Sequence, residues 1–446
     1  MEDFLRNTGE KALELARKRG VEAEAFLLQG RELSIEVIDG QVETLKEAEE
    51  SGLGLRVINQ GRLGFVFTSD LSDQAVKQVV EDAISISRYT EADPHNCLPR
   101  GKYDYPILEV YDPAIPAASL EAKIEMAREV ERVARSSDSR ISIVERAGYE
   151  DSEFTSIIMN TSGVYASGRG NFCGIYVFLV AEEDGDAQNG FSVMIKKRYN
   201  DLDSGFTGKE AAGNAVRALG ARSISSAHLP CVMEPYVATR FLGLLAQMVD
   251  ASMVQKGKSL FAGKLEQAVA SPVVNLVDDA TWIGGIGTFP FDGEGVPSRK
   301  NTIIKDGILT SYLYDCYSAS KAGVAPSGNG QRGSFRSLPS VGTSNFILPG
   351  GSYGSQELYA DMEKGLYITE VMGMHTANPI SGDFSVGAAG IMIDNGKLTY
   401  TVRGATIAGN LGDFFLDIEA LGNDLRFFGG KAAPSIRLKS LSIAGE

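Results

Sequence analysis

The chain of 446 residues carries 58 acidic against 43 basic side chains, which gives a formal net charge of −15. This balance disfavours nucleic-acid binding, because such a protein needs a dense positive surface to neutralise phosphates. The short basic triplet at 196–198 is typical of a solvated strand end. The length allows two or three domains, and the 50 glycines favour many turns and strand connections over a helical bundle.

The first unit is predicted to span residues 1–95 and to contain helices and strands. Its first twenty residues have the spacing of an amphipathic helix, and three or four strand-like runs follow. A hairpin is predicted to turn at Asn59-Gln60-Gly61. A second helix is predicted over 73–88, with Ser72 as its N-cap, and a polar linker follows it.

The second unit is predicted over residues 115–225. Ser119 caps a helix with an apolar stripe, and three long strand-like runs then have the spacing of an antiparallel meander. A helix over 208–223 closes the unit.

The third unit, residues 229–446, begins with an uncharged helix over 241–249 and continues as many short strands rich in glycine. Two tight turns, at 305–307 and 394–396, are predicted to use Gly or Asn at positive φ. The fold class is therefore α+β: N-terminal helix–strand units followed by a β-rich, Gly-rich antiparallel C-terminal domain.

The four cysteines, Cys97, Cys173, Cys231 and Cys316, are far apart and form no CxxC pair. Cys173 and Cys231 lie in apolar runs and are predicted to be buried thiols, so no disulfide framework is expected. The N-terminus has no apolar segment typical of a secretory signal, and the apolar runs are too short to span a bilayer. We expect a soluble cytoplasmic protein with no membrane partner.

The residues offer little for metal or nucleophilic chemistry. There are only three histidines and no HExxH motif, so a zinc site of the usual kind has almost no ligands to use. His375, in a glycine-rich loop, could face a ligand or act as an acid or base. A structural or exposed histidine is the alternative.

Two further stretches contain candidate peptide-binding residues. Asp292 and Glu294 could act as an acid/base pair, with a solvated turn as the alternative. Arg332 and Arg336 lie on a Gly/Ser loop suited to holding a peptide carboxylate, with a plain exposed loop as the alternative.

The last domain resembles the TldD/TldE (PmbA) family, whose members carry names such as modulator of DNA gyrase and peptidase-type protein. The resemblance rests on sequence blocks that occur in the family's order: KGKSLFAGKLEQAVASPVVNLVDD, FDGEGVPSRKNTIIKDGILTSYLYD, GVAPSGNGQRGSFRSLPSVGTSNFILPG, GLYITEVMG, ISGDFSVGAAGIMIDNGKL, TIAGNLGDFF and the closing SLSIAGE. The N-terminal units are similar to the family in length and layout.

In the TldD branch of that family, a helix with HExxxH and a cysteine near the C-terminus hold a catalytic metal. Counted without gaps from the shared KG-S-F-G block, those positions fall on Leu242, Gly243, Gln247 and Gly429 of this chain. Leu242 and the two glycines cannot donate as the family's residues do, and Gln247 could do so only weakly. The resemblance therefore implies the TldE/PmbA branch, which shares the SIAGE ending.

The resemblance further implies a metal-free subunit of a TldD/TldE-type metallopeptidase that processes unfolded peptides. The chain itself would bind no cofactor and be inactive alone, zinc would belong to a TldD-like partner in a heterodimer, and this subunit would shape the channel and bind peptide. Two alternatives stay open: a homodimeric peptide-binding protein without activity, and a stand-alone hydrolase that uses Asp292, Glu294 and His375.

Overall fold

The computed structural model describes residues 2–445, which form a long N-terminal sheet with helices and a β-rich C-terminal region. The elements of the N-terminal half are α1 (Glu2–Lys18), β1 (Glu22–Ile38), β2 (Gln41–Asn59), β3 (Arg62–Thr68), α2 (Asp73–Ser87), α3 (Ala114–Ala117), α4 (Leu120–Ser137), β4 (Ile141–Asn160), β5 (Tyr165–Glu183), β6 (Asp186–Lys196), a 3₁₀ turn (Tyr199–Asp201) and α5 (Ser204–Ala218).

One antiparallel sheet of six strands runs through both predicted N-terminal units, in the order β3-β2-β1-β4-β5-β6. Strands β1 and β4 pair from Glu24 opposite Asn160 to Val37 opposite Ala147, so the sheet crosses the predicted boundary between those units. The strand-like runs predicted over residues 23–29 and 32–40 belong to one continuous strand of 17 residues, Glu22–Ile38. The hairpin turn is confirmed, because Gln60 and Gly61 both have positive φ.

The helices cover only one face of this sheet. Alternate β1 residues from Ala23 to Leu27 pack in one cluster with α1 and α2, and those from Leu33 to Val37 pack with α4 and α5. The predicted caps are confirmed, since the Ser72 and Ser119 side chains accept backbone hydrogen bonds at the starts of α2 and α4. Because side chains alternate along a strand, the even-numbered β1 residues point away from the helices. We call that side the open face.

The C-terminal half contains β7 (Ala227–Met233), α6 (Pro235–Met248), α7 (Ala251–Gln255), β8 (Leu276–Asp279), β9 (Lys300–Lys305), β10 (Ile308–Leu309), α8 (Cys316–Ala322), β11 (Gly330–Gln331), β12 (Ser340–Val341), β13 (Phe346–Ile347), β14 (Lys364–Met372), a 3₁₀ turn (Met374–Thr376), β15 (Asp383–Asp394), β16 (Lys397–Asn410), α9 (Leu411–Leu416), β17 (Ile418–Leu421), β18 (Arg426–Phe428), β19 (Lys431–Ala433) and β20 (Ile436–Ala444).

Two six-stranded sheets organise this half, in the orders β10-β9-β8-β13-β19-β18 and β16-β15-β14-β7-β20-β17. A further pairing of β16 with β20 closes five strands of the second sheet into a ring. The prediction of an antiparallel domain needs one correction, because β14 pairs with β7 and β13 with β19 in parallel. Parallel neighbours need long connections, which this region contains.

Helix α6 lies in the largest apolar cluster of the chain, between these sheets. Pro235 occupies its first turn, where a missing N–H costs nothing, and the predicted apolar run forms its second half. Phe241 stacks on Phe414 with ring centroids 4.3 Å apart. Both predicted turns are confirmed, since Asp306, Gly307, Asn395 and Gly396 have positive φ.

The predicted burial of Cys173 and Cys231 is confirmed, and each of the four cysteines is a free thiol. No helix within residues 2–445 is long and apolar enough to cross a membrane.

Candidate functional site

The positions that match the family's metal helix do not converge in α6. Leu242 is 2% exposed and packs in the apolar core, whereas Gly243 is half-buried and Gln247 is exposed. Positions 242 and 247 are about 140° apart around an ideal helix, so one faces the core while the other faces solvent. The structure therefore does not bring these side chains to one point.

A lysine lies where the glutamate of the metal motif would project. A Cβ placed on Gly243 would be 3.6 Å from Cε of Lys431, the first residue of β19. Gly429, in the turn before that strand, has φ +61° with open space around it. Over the described part of the chain, no group of three or more His, Cys, Asp or Glu side chains could hold a metal ion. The residues present do not fit a zinc site.

An aromatic series connects this helix to the open face. Phe178 stacks on Phe191 at 5.7 Å, Phe191 meets Tyr236 of α6 at 5.4 Å, and Tyr236 meets Phe428 at 5.2 Å. All four rings are half-buried on the same stretch of surface between β6 and β18, and Arg146 lies over the Phe178 ring. The surface offers stacking partners for apolar or cationic side chains.

Two predicted site residues belong to a buried ion cluster between the two halves of the chain. In this interdomain ion cluster, Arg56 Nη2 lies 2.7 Å from Glu24 Oε2 and 2.9 Å from Glu294 Oε1, and Arg332 pairs with Glu24 as well. The side chains of all four residues are at most 7% exposed. The alternatives of a solvated turn at 292–294 and of an exposed loop position for Arg332 are therefore wrong.

Asp292 and Glu294 are held by the protein's own donors. Backbone N–H groups of Glu294, Val296 and Gly330 donate to the Asp292 carboxylate, and that of Cys316 donates to Glu294. Burial, followed by the charge of Glu294, raises the pKa of Asp292 to about 7. Burial also raises the pKa of Glu294. Because their oxygens already accept hydrogen bonds from the protein, neither carboxylate is placed for acid/base chemistry. Glu294 joins the two halves of the chain through its ion pair with Arg56.

Glu24 and Arg56 were not predicted as site residues, because each is a single charged residue within an apolar strand. The available signal was alternation: Glu24 falls between Ala23 and Ala25, on the side of the strand away from the helices. That position predicts a charge facing another part of the protein, but its partners are 32 and 308 residues away in the chain.

The other two predicted residues are exposed. Arg336 pairs with Glu50 at 3.1 Å and covers the ring of Phe335. His375 lies on the exposed 3₁₀ turn after β14. His375 is thus separate from the buried Asp292 and Glu294, so the three do not form the site that a stand-alone hydrolase would need. A peptide-binding role for each of the five candidates stays a prediction.

A cavity of about 530 Å³ lies between the open face and two loops of the C-terminal half. Even-numbered residues of β1 and β4 form its floor, and residues 286–293 and 331–334 form its roof. Asp292 and Arg332 line it, as does Lys197, which is 8% exposed. The expectation of a solvated strand end at 196–198 is therefore wrong for Lys197. Lys196 pairs with Cys173 on the helix-covered side, so the next side chain points to the open face.

Comparisons with known proteins agree with this architecture. Three family models match in order: PmbA/TldA metallopeptidase domain 1 over residues 23–87, the PmbA/TldA metallopeptidase central domain over 113–219 and the PmbA/TldA metallopeptidase C-terminal domain over 226–445. Metalloprotease PmbA of Escherichia coli O157:H7 is 30% identical over 442 residues, which are 98% of this chain and 95% of that protein. The Metalloprotease TldD homolog of Haemophilus influenzae is 27% identical and is covered over 77% of its length.

Solved structures have the same fold. A proposed modulator of a DNA gyrase from Thermotoga maritima superposes with a TM-score of 0.92 at 29% identity, covering 98% of this chain and 100% of that one. TldE from Thermococcus kodakarensis superposes with a TM-score of 0.89 over the whole of both chains, and at 21% identity this likeness concerns the fold alone. The three parts follow one another in the order of the PmbA/TldA metallopeptidase family models. The chain belongs to the PmbA/TldD family, as the sequence blocks predicted.

Proposed function

We propose that this chain is the metal-free subunit of a TldD/TldE-type metallopeptidase and that a TldD-like partner supplies the zinc. The observation that carries the proposal is the state of α6. Leu242 is sealed in the core, Gly243 has no side chain to act as a base, and the stem of Lys431 lies beside it. The positively charged ammonium group of Lys431 would repel a metal ion near this helix rather than help to bind one.

In this proposal the chain contributes the peptide-holding surface of a heterodimer. The open face and its aromatic series provide a wall against which an unfolded segment could lie, and strands of the edge could pair with an extended peptide. Arg336 and His375 are exposed and accessible to such a segment. The free thiols agree with a cytoplasmic location.

The test is to purify the chain alone and together with a TldD-like partner encoded in the same genome. We expect no stoichiometric zinc by elemental analysis and no peptidase activity in the isolated chain, with both present in the complex. Stoichiometric zinc in the isolated chain, or a complex no more active than the partner alone, would contradict the proposal. Analytical ultracentrifugation of the isolated chain tests whether it forms a homodimer.

A reverse experiment places the four metal-motif residues into the chain. We expect the combined Leu242→His, Gly243→Glu, Gln247→His and Gly429→Cys variant to lose stability and gain no zinc. The imidazole at 242 would be buried in the apolar cluster, and a cysteine at 429 would occupy a backbone conformation that suits glycine. Elemental analysis and thermal unfolding measure both effects, with Gln247→His alone as the exposed control. Tight zinc binding by a folded quadruple variant would contradict our conclusion that these side chains do not meet at one point.

A further inference from the structure

Lys197 is a buried lysine whose ammonium group has no anionic partner in the part of the chain that the structure describes. Its side chain lines the 530 Å³ cavity and is 8% exposed. Within residues 2–445 its Nζ atom takes part in no ion pair and no hydrogen bond, and that atom is not fully shielded from solvent. The other buried lysine, Lys123, shows the usual solution, since its Nζ lies 2.6 Å from an oxygen of Asp151.

Burial without a partner is costly for a charged group. Desolvation lowers the pKa of Lys197 to about 8 from its ordinary value of 10.5, and no carboxylate within residues 2–445 opposes that shift. At neutral pH most of the ammonium is still charged, so an anion placed against it would be bound strongly. Two carboxylates that line the same cavity have other surroundings: backbone N–H groups donate to Asp292, and Glu32 is exposed to solvent.

Aromatic side chains line the same cavity as Lys197. Phe154 and Phe289 lie 5.4 Å apart, and Phe289 and Phe291 lie 4.8 Å apart, measured between ring centroids. These rings rest directly on β5 because Gly168 and Gly170 lie beneath them. A Cβ at those two positions would come within 2.6 Å of Phe289 and 2.8 Å of Phe154. The cavity therefore accepts apolar or aromatic groups beside the ammonium.

The opposite end of the cavity is acidic, and this limits the charge of a ligand. Glu32, Glu49 and Glu50 line it. The strand pairings show how far apart the two ends are. Glu32 of β1 is opposite Ser152 of β4, which is opposite Phe172 of β5. The next residue of β5, Cys173, is opposite Lys196 of β6. Three strand spacings put the β1 backbone at Glu32 about 14 Å from the β6 end. A ligand with several negative charges would be repelled there, whereas a single carboxylate at the Lys197 end would not.

We propose that this cavity binds one free carboxylate attached to an apolar or aromatic group, such as the C-terminus of a short peptide, with Lys197 as the counter-charge. The volume lies within the range of small-ligand pockets, about 300–1,000 Å³. The choice of a peptide rests on the proposed function, whereas the carboxylate chemistry rests on the cavity alone. A free aromatic acid carries the same chemistry, so the experiment separates the two sources.

The experiment is calorimetric titration of the full chain at pH 7 with N-acetyl-Ala-Ala-Phe and with the same peptide as its C-terminal amide. We expect the acid to bind at least about tenfold more tightly than the amide, because a charge-assisted hydrogen bond is lost with the amide. Lys197→Met should abolish this preference and Lys197→Arg should keep it. Lys196→Met, on the other side of the same strand, is the matched control and should behave as the wild type.

A third ligand, 3-phenylpropionate, separates a peptide site from a site for small acids. Tighter binding of the peptide supports a peptide C-terminus, and equal binding supports a small aromatic acid as the occupant. Equal affinity for acid and amide, or an unchanged preference in a folded Lys197→Met variant, would overturn the proposal. The titration requires neither zinc nor a partner, so its failure is distinguishable from failure of the metal-free-subunit proposal.

Discussion

Replacing Lys197 with methionine should make the protein more stable at neutral pH. Methionine has a similar length and no charge, so the variant fills the same space without the desolvated ammonium. The folded pKa of about 8, against an ordinary value of 10.5, corresponds to about 3 kcal/mol of unfavourable free energy at pH 7. We expect the variant to gain most of that amount in its free energy of unfolding.

The pH dependence gives the prediction its sign. Between pH 8 and 10.5 the folded lysine has lost its proton while the unfolded one keeps it, so the unfolded state binds more protons. The stability contributed by this site therefore rises with pH in the wild type. The advantage of Lys197→Met over the wild type should accordingly shrink from about 3 kcal/mol at pH 7 toward zero near pH 10.5.

Urea unfolding followed by far-ultraviolet circular dichroism, at half-unit steps from pH 7 to 10.5, measures this difference. Lys196→Met is the control, since that half-buried neighbour points to the other side of the strand. A difference that does not change with pH, or a variant less stable than the wild type at pH 7, would refute the reasoning.

Three further predictions concern the contact between the two halves. Arg56→Met should lower the free energy of unfolding by about 3–5 kcal/mol, because it leaves buried carboxylates uncompensated, and urea unfolding measures the loss. The stability contributed by Asp292 should fall as pH rises from 4 to 7, because its folded pKa is raised to about 7 and the folded state holds the proton longer. Asp292→Asn should remove this contribution from the pH dependence of the same unfolding curves. Gly54→Ala should lower the free energy of unfolding by about 1–3 kcal/mol, because the new Cβ would lie 2.3 Å from the Phe335 carbonyl oxygen. Gly213→Ala is the control and should stabilise α5, because its Cβ would have no heavy atom within 4 Å. Differential scanning calorimetry of both variants measures the two effects.

Helix starts and hairpin turns were predicted correctly from short stretches of the sequence. Capping serines at 72 and 119 marked the starts of two helices, and Asn, Asp and Gly residues marked the hairpin turns, because these depend on neighbours a few residues away. Alternation along β6 carried a further signal, since it placed Lys197 on the side of Phe191, Val193 and Ile195. The charge of the triplet predicted exposure, whereas the alternation of side chains along the strand places Lys197 on the open face.

The candidate site was predicted less completely, for a physical reason. Whether Asp292, Glu294 and Arg332 are solvated or buried depends on Glu24 and Arg56, which lie far away in the chain. A carboxylate in a glycine-rich turn has the same sequence signature in both environments. Only the packing of the C-terminal loops on the open face removes water from these charges and pairs them.

Residue patterns along the chain were enough to predict the α+β class, the main helices, the burial of Cys173 and Cys231 and the membership of the PmbA/TldD family, because these depend on local propensity or on ordered blocks of residues. The three-dimensional contacts were needed to show that one sheet joins the first two predicted units, that Leu242 and Gln247 face different ways, and that Lys197 lines a cavity with aromatic side chains. Each of those outcomes depends on which strands become neighbours and which face the C-terminal half covers. Such contacts join residues far apart in the chain, and no local pattern records them.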